Sequence, residues 1–177
     1  MTQASERKNA GLLRRLGAML YDTLLVVALL IVVTFAFVPL LDGRVLVPEE
    51  VGALAYMYWV VQLAAVVAFF IYFWTHRGQT VGMLAWRLRI ENLDGSNVRW
   101  QTGLKRLAVH AILLLPFFLG YWLVWRDWPA NAYRRLAFGV SLAPAVLPYL
   151  WIVFDRERRS WHDRWTDTRI VVLPKTR

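Results

Sequence analysis

The chain contains no cysteine. That excludes disulfide staples, thiolate metal sites and thiol nucleophiles together. Charged residues are scarce, at 19% of 177 positions, below the roughly 25% of an ordinary soluble domain. Only three histidines are present, and they are scattered; a metal site needs three or four convergent ligands. No metal and no cofactor is therefore expected. Internal repeats and low-complexity segments are absent, including the inverted repeats on which many transporters are built. What the chain has in excess is apolar surface: 58% hydrophobic residues and ten tryptophans, a content that excludes disorder. It nevertheless carries a net charge of +9. That pairing suits a membrane protein, whose cytosolic loops collect Lys and Arg. Membrane topology explains the basic charge more simply than nucleic acid, so no nucleic-acid partner is expected.

A helix crossing the hydrocarbon needs about 20 mostly apolar residues. Four stretches qualify: residues 16–41, 53–74, 107–125 and 136–154. The first is too long for a signal h-region and lacks a small-residue cleavage site. Seventeen of the 21 basic residues fall in the N-terminal tail, in residues 75–106 and in the C-terminal tail. The other four lie in the two remaining connections. This asymmetry orients both termini toward the cytoplasm of a plasma (bacterial inner) membrane. Trp74, Trp161 and Trp165 then mark the inner interface, and Trp122, Trp125 and Trp128 the outer one. The bilayer itself is the first expected partner. Anionic inner-leaflet lipids suit the basic face, and a homo-oligomer or a membrane partner protein would complement so small a bundle.

The segment after the second span is more than a linker. Gly78-Gln79-Thr80-Val81-Gly82 opens it, and Val81 to Arg89 suits a short interfacial helix. Residues 88–93 alternate apolar and polar, Asp94-Gly95 follows, and 96–100 continues. Asp-Gly between alternating runs predicts a hairpin. Residues 168–173 are rich in β-branched side chains and offer a third strand. The expected fold class is thus an all-α polytopic four-helix transmembrane bundle with a small cytoplasmic hairpin or three-stranded sheet, forming a single domain over 1–177. Pro116, Pro144 and Pro148 interrupt the last two spans, and proline kinks are tolerated in membrane helices.

Asp22 is the one acid inside a span. An aspartate at a span centre costs about 2.5–3.5 kcal/mol on insertion scales, so Asp22 must find a partner or a proton. Arg106, at the start of the third span, is the expected direct partner. Arg15 is a second nearby charge, and His110, one turn above Arg106, is placed to share the site. Near the C-terminus, Trp161-His162-Asp163-Arg164 sets a histidine beside an aspartate. Such a pair is either an exposed hydrated pair or a proton relay.

These motifs, in this order, resemble the RDD family of membrane proteins. The resemblance rests on Arg15, Ala18 and Asp22, on Gly78, Thr80 and Gly82, on Asp94-Gly95, on Arg106, and on His162-Asp163 through Thr168. It spans roughly Arg14 to Leu173. One position departs from it: many members carry lysine after the second loop glycine, and here stands Met83. The resemblance implies a membrane protein with suggested transport, some members having been linked to cation/proton exchange. Three functions are then weighed. In a transporter or exchanger, Asp22 would alternate between proton and cation. In a non-catalytic scaffold or accessory subunit, Asp22 and the arginines would form a structural ion-pair network. An inner-leaflet enzyme using His162 and Asp163 has no nucleophile, metal set or phosphate loop to support it, so no catalytic activity is expected.

Overall fold

The computed structural model describes residues 7–126 and 132–174, except the side chains of 123–126 and 132–135. Trp125, Trp128 and the basic residues of the 126–135 turn fall outside what it describes at side-chain level. The elements in chain order are α1 (Leu12–Phe37), a 3-10 turn (Val38–Leu40), α2 (Pro48–Val51), α3 (Ala53–His76), α4 (Val81–Ala85) and β1 (Leu88–Asn92). They continue with α5 (Trp100–Arg126), α6 (Ala132–Phe154), α7 (Trp161–Trp165) and β2 (Thr168–Val172).

Among the described residues four helices are long and apolar enough to cross a membrane: Leu12–Leu40, Ala53–His76, Trp100–Trp122 and Leu136–Phe154. α1 packs on α3, α3 on α5, α5 on α6, and α6 back on α1, which closes a ring. The helix that carries the third expected span begins several residues before residue 107, at Trp100. Lys105 is exposed and can extend its ammonium toward water, while Arg106 is neutralised inside the protein. Two charges at its foot therefore do not stop the helix. α5 and α6 remain helical through Pro116, Pro144 and Pro148.

Within the chain the long helices bury little. Only 6–17% of each apolar window is shielded by other protein, which leaves the rest for lipid. The buried cluster sits instead at the end of the bundle that carries the sheet. Ala10, Ala18, Trp74, Met83, Leu88, Ile90 and Val98 form it, with Phe70, Leu107, Ile170 and Val172 packed against it. Inside the bundle, α1 and α3 are also joined by polar side chains. Gln62 Nε2 donates to Leu30 O and Tyr58 Oη, and Thr34 Oγ1 lies 2.9 Å from Tyr58 Oη.

The sheet differs from the expected hairpin. β1 pairs antiparallel with β2, Leu88 facing Val172 and Asn92 facing Thr168, so the C-terminal strand does pair as expected. The Asp94-Gly95 turn forms too: Gly95 has φ +83°, and Ser96 N donates to Asp94 Oδ1 at 2.8 Å. Residues 96–99, however, are not a strand, because the chain enters α5 only four residues after the turn. Among the described residues the sheet is two-stranded. The free edge of β2 is met by the N-terminal segment, through an Asn9–Val171 bridge and bonds from Ala10 N to Ile170 O and Val172 N to Lys8 O.

Candidate functional site

Asp163 is the centre of the site. Ser160 caps α7 in a capping box: Asp163 N donates to Ser160 Oγ and Ser160 N donates to Asp163 Oδ2. This local geometry fixes the carboxylate, which then receives two guanidiniums. Arg15 Nη1, from the first turn of α1, donates to Oδ2 at 2.5 Å, and Arg106 Nη2, from the foot of α5, donates to Oδ1 at 2.6 Å. All three side chains are at least 96% buried. One carboxylate and two guanidiniums leave a surplus positive charge. Neutral acceptors spread it: Arg15 also donates to Ala10 O and Arg158 O, and Arg106 to Thr168 Oγ1. The Arg106 guanidinium lies 5.9 Å above the Trp74 ring, within cation–π range. Burial alone would raise the Asp163 carboxyl. The Arg106 and Arg15 charges and their hydrogen bonds outweigh it and hold the group well below the usual carboxylate range.

The expected Asp22–Arg106 pair does not form. Arg15 and Arg106 both spend their charge on Asp163, and Asp22 accepts from neutral donors: Thr80 Oγ1 at 2.5 Å and Gly82 N at 2.8 Å. Thr80 is the N-cap of α4, accepting from Met83 N. Asp22 thus reaches from α1 to satisfy a backbone N–H that the first turn of α4 leaves without an intrahelical partner. The close approach needs glycine. A Cβ on Gly82 would strike Ala18 O and stand 2.8 Å from Asp22 Oδ1, and one on Gly17 would strike the Trp86 ring. Gly78 turns the chain at φ +66° and accepts from Ile90 N. Within the 81–89 stretch the expected short helix is five residues long, Val81–Ala85, and is docked on α1 with Gly82 and Met83 buried.

His110 and His162 stack with ring centroids 3.8 Å apart. His110 Nδ1 lies 2.7 Å from Arg106 O; a carbonyl only accepts, so this nitrogen carries the proton. Burial, then the neighbouring His110 and Arg106, push His162 down to about 2. It is neutral at ordinary pH. His162 is not hydrogen-bonded to its neighbour Asp163, whose oxygens are taken by Arg15, Arg106 and Ser160. The pair is buried, not an exposed hydrated one. Among the described residues no group of three or more His, Cys, Asp or Glu side chains is arranged to hold a metal.

Of the motif residues, Arg15, Arg106, Asp163, His110, His162 and Thr168 meet in one cluster. Ala18, Asp22, Thr80 and Gly82 form a second, along the α1–α4 contact. Sequence reasoning passed over three groups. Ser160 was legible, since Ser-x-x-Asp ahead of an aromatic is a capping-box pattern. Glu91 was not: it stands in an alternating strand at a position read as polar, yet it is fully buried, bonded by Arg7 at 3.0 Å and Arg169 at 2.9 Å. Thr166 bonds His162 O and touches Thr168 Oγ1.

Four membrane-length helices closed at one end by a buried Arg–Asp–Arg bridge and a small sheet define a polytopic helical membrane protein. The RDD family model matches residues 9–167, and the chain belongs to that family. No curated protein and no solved structure matches it.

Proposed function

We propose that this chain is a non-catalytic scaffold or accessory subunit of the bacterial inner membrane, in which the buried charges hold the helices together. The observation that carries this reading is the saturation of Asp163 by Arg15, Arg106 and Ser160 N. A carboxylate so held is fully buried and has both oxygens committed to groups of this same chain. Removing one partner of such a buried pair is typically destabilising by about 3–5 kcal/mol, which suits a structural role. The Lys and Arg asymmetry supports cytoplasmic termini. The broad apolar helix surface supports association with a second copy or with another membrane protein.

One observation favours a second reading, exchange of a cation for a proton at Asp22. Its partners are a hydroxyl and a backbone N–H, so no guanidinium holds it permanently ionised. The two readings part in proteoliposomes. Under the scaffold reading, cation-driven proton flux equals that of empty liposomes for wild type and Asp22→Asn alike. Flux above that background in wild type, lost in a folded Asp22→Asn variant, would overturn it in favour of exchange.

A further inference from the structure

A groove of about 500 Å³ lies beside the sheet, between the turn after β1, the first turns of α5 and the turn joining α7 to β2. Asp22 does not line it, and the Asp163 cluster borders it only through Thr166. Its walls carry both signs of charge: Arg99 and Lys105 on one side of the balance, Asp94 and Asp167 on the other, with Thr102 and Trp165 between them. All four charged residues are exposed, and among the described residues none of them is in a salt bridge. Asp94 is fixed by Ser96, whose backbone N–H donates to Oδ1 at 2.8 Å and whose side chain also bonds the carboxylate, with the Arg169 charge nearby; the group stays exposed.

The height of the groove says what meets it. α5 is one of the membrane-length helices and begins at Trp100. Its residues 100–105 rise about 9 Å at 1.5 Å per residue, a depth that spans the change from headgroups to hydrocarbon. Trp100 and Trp165 are each 58% exposed there, as interfacial tryptophans are.

We propose that this groove binds the headgroup of a zwitterionic phospholipid bearing a primary ammonium, of the phosphatidylethanolamine type. The phosphate is taken by Arg99, Lys105 and the Thr102 hydroxyl, and the ammonium by Asp94 and Asp167. Guanidinium and ammonium groups make short charge-assisted bonds to phosphate. A primary ammonium has three N–H donors for the two carboxylates; a quaternary ammonium has none. A headgroup with phosphate alone leaves both carboxylates unpaired. The assignment is independent of whether the chain is a scaffold or an exchanger.

The test is native mass spectrometry of the full chain in detergent. Phosphatidylethanolamine, phosphatidylglycerol and phosphatidylcholine with the same acyl chains are titrated separately, with free O-phosphoethanolamine as a fourth arm. Expected is retention of phosphatidylethanolamine about tenfold stronger than of either other lipid. The double variant Arg99→Ala, Lys105→Ala loses all three. The double variant Asp94→Asn, Asp167→Asn keeps phosphatidylglycerol and loses the preference; asparagine preserves an acceptor for Ser96 N and tolerates the φ of +51° at residue 167. Should either double variant melt below wild type, Lys105→Gln alone must still weaken phosphatidylethanolamine retention. Equal retention of the three lipids by wild type, an unchanged preference in the acidic double variant, or free phosphoethanolamine binding as tightly as the lipid would each overturn the proposal.

Discussion

Arg106 donates to Asp163 across 57 residues of sequence, tying the foot of α5 to the short helix that follows α6. Arg15 reaches the other oxygen of the same carboxylate from α1. Three segments far apart in the chain are therefore joined at one buried point, beside the sheet that their own flanking residues build. The aspartate outside the spans, and not the one inside the first span, is the partner of both arginines.

Loss of that carboxylate leaves two buried guanidiniums without a counter-charge. Asp163→Asn is expected to lower stability by about 3–5 kcal/mol and to reduce the yield of folded protein sharply. Thermal unfolding in detergent, followed by tryptophan fluorescence, checks this; a melting temperature equal to wild type would contradict it.

The α1–α4 contact makes a steric prediction. Gly82→Ala places a methyl against Ala18 O and Asp22 and should destabilise by about 1–3 kcal/mol, as overpacking does. Gly139→Ala meets nothing within 4 Å and should be neutral or slightly stabilising, since alanine is the better helix former. The difference between the two melting temperatures is the readout.

Acid should weaken the fold through His162. Its folded pKa is about 2 against 6.5 for the free side chain. The unfolded chain therefore binds a proton that the folded chain does not, and stability is lost as pH falls below about 6.5. The slope from this group is about 1.4 kcal/mol per pH unit. Asp163, depressed in the folded state, adds a further loss below the ordinary carboxylate range. Unfolding measured between pH 7 and pH 4 should show the slope, and His162→Phe should make it shallower by this group's share; an unchanged slope in His162→Phe would contradict it.

The N-terminal segment protects β2. Val172 N donates to Lys8 O, so deletion of residues 1–10 should speed amide exchange at Val172. The amides of β1 keep their protein acceptors and should change less. Equal protection of Val172 with and without the segment would contradict the bridge.

The four apolar helices are legible because apolar length is a local property, whereas the extension of α5 back to Trp100 is not, because a charge at a helix foot looks like a boundary until its partner is known. The β1–β2 pairing was legible from β-branched composition at residues 168–173. The false hairpin strand at 96–100 followed from the same alternation rule; a turn signal does not say which strand answers it, and α5 claimed those residues instead. Arg15, Asp22 and Arg106 stand out in the sequence as charges at or inside apolar runs, while Asp163 stands out only beside His162 and through the family resemblance. Their pairing was not legible. Membrane depth points Asp22 to Arg106, but depth cannot reveal that Thr80 and Gly82 bond Asp22 instead, nor that α7 brings Asp163 to both arginines.

A double-mutant cycle tests the central pairing most directly, with Arg106→Gln combined in turn with Asp163→Asn and with Asp22→Asn, and unfolding free energies measured in one detergent. The expected result is strong non-additivity of about 1–3 kcal/mol for residues 106 and 163, and additivity within about 0.5 kcal/mol for residues 106 and 22. Coupling between 106 and 22, with additivity between 106 and 163, would contradict the account.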